Sequence, residues 1–223
     1  LAMYGKKILL VDTDPQENLK KSFIDPPSSG LYDALSGDGI NIMEINRNLS
    51  ILSGDIRLSL LEKNLLGEID AYERLRELFK ADIFLDFDFI LIDTPPSLGI
   101  LTLNALSASD SLVIPVSCRM YSMQGTNDLV ETVSKVRKSL NPDLVLFGVI
   151  INAFDRVPVI MREIRDEIRR AFGSALFEQV IGRSIKIEEA ISNRSSVVDY
   201  ISTGRIREEI LEVTDELLKR CEL

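Results

Sequence analysis

An α/β fold, with a doubly wound and mostly parallel sheet flanked by helices, is predicted by three observations. Apolar runs of strand length recur along the chain. Longer stretches with apolar residues at helical spacing separate them. Two of the runs end on aspartate. A run that is apolar at every position marks a strand buried on both faces, which is the condition of strands in a parallel sheet covered by helices.

Leu1-Ala2-Met3-Tyr4-Gly5-Lys6-Lys7 reads as the tail of a helix running straight into the first strand, Ile8-Leu9-Leu10-Val11, which Asp12 closes. Asp25-Pro26-Pro27-Ser28-Ser29-Gly30 is the most loop-like stretch. Leu49-Ser50-Ile51-Leu52 is a weaker strand, and Phe89-Ile90-Leu91-Ile92 is a third, closed by Asp93. Leu112-Val113-Ile114 stops at Pro115, and the longest run, Val145 to Ile151, stops at Asn152. Helical stripes follow from Leu129, Val133, Val136 and Leu140, stopped by Asn141-Pro142; from Ile160, Ile164, Ile168 and Phe172, stopped by Gly173; and from Ile206, Ile210, Val213 and Leu217. No repeat, low-complexity tract or linker intervenes, so a single domain over residues 1–223 is expected.

Composition narrows the chemistry. A chain of 223 residues buries roughly 70% of its unfolded surface and carries a core without staples. With no His, it has no Ser-His-Asp or Cys-His nucleophile system and no His-ligated zinc. Cys118 and Cys221 are isolated, so there is no CxxC pair, and a reducing cytoplasmic setting is expected. No apolar run reaches membrane-spanning length, and the first residues lack a signal-peptide pattern. Lys+Arg is 26 against Asp+Glu 35, a net charge of −9, so any nucleic-acid contact needs a local basic patch.

Ligands of open parallel sheets sit beyond the carboxyl ends of the strands. Asp12, followed by Thr13-Asp14-Pro15-Gln16, and Asp93, followed by Thr94-Pro95-Pro96-Ser97, stand at such ends. A carboxylate there either caps the next turn or helix, or faces a cation. Hydrated Mg²⁺ with phosphates suits the second case, because Mg²⁺ keeps most of its waters and takes few protein carboxylates.

The segment Lys6 to Gln16 closely resembles the second block of ParA/Soj-type partition ATPases, the deviant Walker-A group of P-loop proteins to which MinD is related. Phe89 to Pro96 with Ser97-Leu98-Gly99-Ile100-Leu101-Thr102-Leu103-Asn104-Ala105-Leu106 resembles their Walker-B strand and the helix behind it. Ser53 to Leu58, Val136 to Pro142, Gly148 to Asp155 and Ile185 to Ala190 match in family order, so the similarity covers nearly the whole chain.

The resemblance implies a P-loop NTPase-like fold and a Mg-ATP-dependent switch for plasmid or chromosome partition or cargo positioning. Such proteins dimerise around ATP, bind DNA non-specifically on the nucleoid, and are stimulated by a ParB-like partner. Carried over by position, Asp14 orients the attacking water, Asp12 and Asp93 hold Mg²⁺ and its waters, and Pro95 and Pro96 lie in the loop that senses the γ-phosphate. Gln16 and Asn152 join the nucleotide-binding set. Asn152 has the amide needed to read an adenine edge, and a turn-forming asparagine is the other reading.

The family's KGGxGK[ST] phosphate loop is not found. In relatives it precedes this block by one strand–loop–helix unit of about 30 residues, whereas 11 residues precede Asp12 here. The resemblance therefore implies that the first strand and most of the first helix are missing, and that the chain as written does not hydrolyse ATP. A segment outside the given sequence, a cut chain and a natural truncation all stay open. The alternative function is a degenerate, non-catalytic ParA-like binding or regulatory module. Glu17 stands where relatives have a small residue, Gly182-Arg183 replaces Pro-Arg, and Thr203 occupies a position that is often basic.

The candidate DNA surface is Arg183, Lys186, Arg194, Arg205 and Arg207, with Glu188, Glu189, Glu208 and Glu209 interspersed; solvated surface cations are the other reading. The tail from Glu208 to Arg220 is amphipathic but acidic, which suits docking on the protein core and not on anionic lipid.

Overall fold

The computed structural model describes residues 1–23, 30–117, 123–154 and 159–221. The expected loop at 25–29, Cys118 and Asp155 lie outside the described residues. The chain divides into two units, one of Leu1–Ser109 with Lys138–Pro142 and one of Asp110–Arg137 with Asp143–Leu223.

In the first unit the opening residues form a 3-10 turn, Ala2–Tyr4, closed by Gly5 at φ 79, a left-handed conformation that costs glycine little. The first apolar run becomes β1 (Ile8–Asp12), with Ile8, Leu9 and Val11 buried. After it come α1 (Asn18–Lys21), α2 (Leu31–Ser36), β2 (Met43–Asn46), β3 (Leu49–Leu52), α3 (Leu58–Asn64), α4 (Arg74–Leu78), β4 (Phe89–Asp93) and α5 (Ile100–Ala108). The strand order is β2-β3-β1-β4, parallel except for the antiparallel β2–β3 pair. Leu9, Val11, Leu52, Leu58, Leu75 and Leu101 lead the core, each stabilising the fold by about 2 kcal/mol on burial. Asn104 ties α5 to α4 inside this core, accepting from the Leu75 amide and donating to Ala71 O. Asn141 in turn donates to Leu106 O and Ser109 O, closing the end of α5.

The second unit holds β5 (Ser111–Ser117), α6 (Met123–Ser139) up to Arg137, β6 (Val145–Phe154), α7 (Val159–Phe172), β7 (Leu176–Gly182), α8 (Ile185–Ser192), α9 (Val197–Tyr200) and α10 (Arg205–Cys221). Its sheet is parallel throughout, in the order β5-β6-β7. Val136, Ile168, Ile206 and Val213 of the expected stripes are buried. The acidic tail docks on protein, as its composition suggested. Glu216 accepts from the Glu178 and Gln179 amides and Glu209 from the Gly182 amide at 2.7 Å. Arg220 sits over the Phe177 ring at 4.0 Å and donates to Leu176 O. These contacts satisfy backbone groups of β7 that an edge strand leaves unpaired.

Four expectations are corrected. β5 does not stop at Pro115 but runs through it to Ser117, with Pro115 opposite Ile150; β5 is an edge strand among the described residues, where a residue without an N–H is tolerated. β2 and β7 were not foreseen. β6 runs past Asn152 to Phe154, so Asn152 lies within the strand. β4 is not enclosed on both faces: among the described residues it pairs with β1 alone, and an edge strand keeps its outer residues accessible, leaving Leu91 41% exposed. No described helix is long and apolar enough to cross a membrane.

Candidate functional site

The parallel register of β1 and β4 runs from Ile8 opposite Phe89 to Asp12 opposite Asp93. It therefore delivers the two strand-end carboxylates side by side. Beyond them, Thr13 locks the chains together, its amide and its hydroxyl both donating to Asp93 O, at 3.0 and 2.7 Å.

Asp12 is fully buried. Its Oδ1 accepts from the Asp14 amide at 3.0 Å and its Oδ2 from the Lys20 amide at 3.3 Å. No ion pair reaches it among the described residues. Burial raises its pKa to about 6; the two amide bonds oppose the rise, and the charges of Asp93 and Asp14 add to it. Asp93 is also pushed up, first by desolvation and then by the Asp14 charge. Asp14 is steadied by its own turn, with Oδ1 accepting from the Gln16 amide at 2.9 Å. Gln16 is exposed. A buried carboxylate without a counter-charge beside a second carboxylate fits a divalent cation. Among the described residues no group of three or more Asp, Glu or Cys forms a metal cage, which leaves an ion that retains its waters as the matching chemistry.

Glu17 occupies a left-handed conformation, φ 60, and turns its carboxylate to Lys20 at 3.4 Å and Lys21 at 3.9 Å. The negative charge that departs from the family pattern is thereby balanced locally. Pro95 and Pro96 lie in the loop between β4 and α5, which Thr102 clasps by donating its hydroxyl to Ser97 O at 2.6 Å.

Two positions of this unit were missed. A Cβ at Gly54 would collide with Asp12 O, so this position of the Ser53–Leu58 segment admits only glycine. Glu62 accepts from the Ile100 amide at 3.0 Å across 38 residues, a pairing no local pattern encodes.

In the second unit Asn152 is exposed, and its Oδ1 accepts from the Ala153 amide at 2.8 Å, a bond that orients the side-chain amide. The five basic candidates all fall in this unit. Arg183 follows β7, Lys186 is on α8, Arg194 is in the turn behind it, and Arg205 and Arg207 open α10. Lys186 is paired with Glu189 at 2.7 Å and Arg205 with Glu209 at 3.5 Å, while Arg207 Nε donates to Val198 O.

Mostly parallel sheets flanked by helices, with carboxylates closing two adjacent parallel strands, are an arrangement that P-loop ATPases share with other nucleotide-binding α/β folds. Comparison with known proteins agrees. The AAA_31 family, an AAA domain, matches residues 1–146. The sporulation initiation inhibitor protein Soj of Bacillus subtilis is 35% identical over 227 residues, covering 97% of this chain and 88% of that protein. The chromosome partitioning protein ParA of Myxococcus xanthus is 32% identical, covering 99% of this chain and 80% of its own. Among solved structures, cobyrinic acid a,c-diamide synthase from Mycobacterium smegmatis with bound ADP and magnesium superposes with a TM-score of 0.76 at 29% identity, over 86% of this chain and 80% of that one. The chain belongs to the ParA/Soj family of partition ATPases.

Proposed function

We propose that the chain, when joined to the phosphate-loop unit that residues 1–223 do not contain, acts as a Mg-ATP-dependent switch in the partition or positioning of DNA or other cargo, dimerising around the nucleotide in the cytoplasm. The observation that carries this reading is the buried Asp12, which forms no ion pair among the described residues, in register with Asp93. Bound Mg²⁺ supplies charge neutralisation for the phosphates. Asp12 and Asp93 would hold the ion and its waters, and Asp14, fixed by the Gln16 amide, would orient the attacking water. We assign Gln16 and the Pro95-Pro96 loop to the phosphates and Asn152 to the adenine. The nucleotide-bound dimer presents Arg183, Lys186, Arg194, Arg205 and Arg207 to DNA phosphates on the nucleoid, and a ParB-like partner accelerates hydrolysis. We treat the chain as a single functional domain.

The alternative reading is a degenerate, non-catalytic ParA-like binding or regulatory module. Calorimetry separates the two. Residues 1–223 alone are expected to show no micromolar Mg-ATP binding, and such binding overturns the role assigned to the phosphate loop. The same residues preceded by a family strand–loop–helix unit are expected to bind, and failure there favours the module. In that extended form Asp14→Ala retains binding and loses hydrolysis; surviving hydrolysis removes Asp14 from the mechanism.

A further inference from the structure

We propose that Glu62 is a positioning residue for the loop that carries Pro95 and Pro96, and that α3 is the spacer holding both carboxylate-bearing strand ends. The inference rests on the reading of Asp12 and Asp93 as the cation-holding pair.

The start of α3 is fixed against the Asp12 side. Gly54 lies close enough to Asp12 O and Asp14 O to exclude a Cβ, and Leu58 packs against the same glycine. Asp55 Oδ1 accepts from the Arg57 amide at 2.8 Å. Arg57 then forks to Asp33 and Asp55 and lies 4.5 Å from the centre of the Tyr32 ring. Just over one turn beyond Leu58, the same helix reaches the Asp93 side through Glu62.

That reach replaces a missing local cap. The N-cap residue of α5 is Gly99, which has no side chain to accept from the first amides. Glu62 Oε1 accepts from the Ile100 amide instead, and a carboxylate at this end also suits the helix dipole. Gly99 has an ordinary φ of −80, so its own backbone does not demand glycine. Its lack of a Cβ is what admits the Glu62 carboxylate, because a Cβ there would overlap Oε1. Together with the Thr102 clasp on Ser97 O, the cap fixes the far end of a loop whose near end is Asp93. Withdrawing it loosens the Asp93 side and leaves the Asp12 side held by Gly54.

The test uses the 223-residue chain, with amide hydrogen exchange and Mn²⁺ as a paramagnetic probe read by nuclear magnetic resonance. Glu62→Ala is expected to speed exchange at Ile100 at least tenfold. It also raises severalfold the Mn²⁺ concentration that half-broadens the Thr13, Asp14, Asp93 and Thr94 amides, equally at both strand ends because one ion serves both carboxylates. Exchange quickens at Thr94 and not at Asp14. Glu62→Gln, which keeps an acceptor oxygen, restores both readouts to within about twofold of the parent. Gly99→Ala expels the carboxylate and behaves like Glu62→Ala, and the double variant is no worse than the poorer single one, as expected for one shared interaction. The proposal is overturned if Glu62→Ala leaves Ile100 unchanged, or if exchange quickens equally at Thr94 and at Asp14, which marks a merely stabilising residue. It is also overturned if Gln behaves as Ala does, because Glu62 then acts through its charge. A parent chain showing no Mn²⁺ broadening at either aspartate rejects the cation site; exchange at Ile100 and Thr94 still decides whether Glu62 holds the loop.

Discussion

At the residue scale, Asp12 sets a pH dependence of definite sign. Its pKa is raised from 3.8 to about 6 on folding, so the folded chain holds a proton that the unfolded chain releases. The stability this contributes is fully present below about pH 4 and is lost as pH rises through 6, reaching about 3 kcal/mol. Asp12→Asn, which cannot ionise, should therefore raise the melting temperature at pH 7.5 and change it little at pH 4; equal shifts at both pH values would reject the account. Millimolar Mg²⁺ at pH 7.5 should stabilise the parent chain and not Asp12→Asn, since only the ionised carboxylate gains from the cation. Thermal denaturation reads both effects. Asp12 and Asp93 were legible in the sequence because each terminates an unbroken apolar run. Glu62 was not, because its partner amide is 38 residues away and the intervening chain has no reason to reveal the encounter.

At the element scale, the legible elements are those whose hydrophobic pattern is strong on its own. β1, with residues buried on both sides, and α10, with Ile206 and Val213 buried, could be read from spacing alone. β2 and β7 could not. Met43–Asn46 is four residues of alternating exposure at an antiparallel edge. Leu176–Gly182 is interrupted by Glu178 and Gln179, whose amides are satisfied by the Glu216 carboxylate and not by a further strand. The edge is thus completed by a helix, and its energetics belong to α10. Glu209→Ala strips the acceptor from the buried Gly182 amide, an unsatisfied donor that costs about 2 kcal/mol. Chemical denaturation should show that loss, and hydrogen exchange should show Gly182 losing protection while β1 keeps its own. Gly148→Ala is a second probe of this unit. Its Cβ would overlap the fully buried Phe177 ring, and overpacking of this kind costs about 1–3 kcal/mol.

At the scale of the whole molecule, patterning revealed the fold class but not the strand order. Placing β1 between β3 and β4 requires crossovers that no run of residues records. Charge is likewise a property of the whole chain with a local exception. A net charge of −9 opposes a polyanion, and two of the five basic candidates are already paired with glutamates. Contact with DNA must therefore break ion pairs as well as release counterions. The Lys186–Glu189 pair at 2.7 Å is the accessible case, with Lys186 raised above its usual pKa by that hydrogen bond. Glu189→Gln leaves α8 its length and frees the ammonium for a phosphate. In the form that binds Mg-ATP it should tighten binding to random-sequence duplex and steepen the slope of log K against log salt by about one, the increment of one added phosphate contact. Fluorescence anisotropy across a salt series measures both quantities. An unchanged slope with unchanged affinity places Lys186 off the DNA surface, and tight binding by the nucleotide-free monomer at physiological salt contradicts the requirement for a dimer.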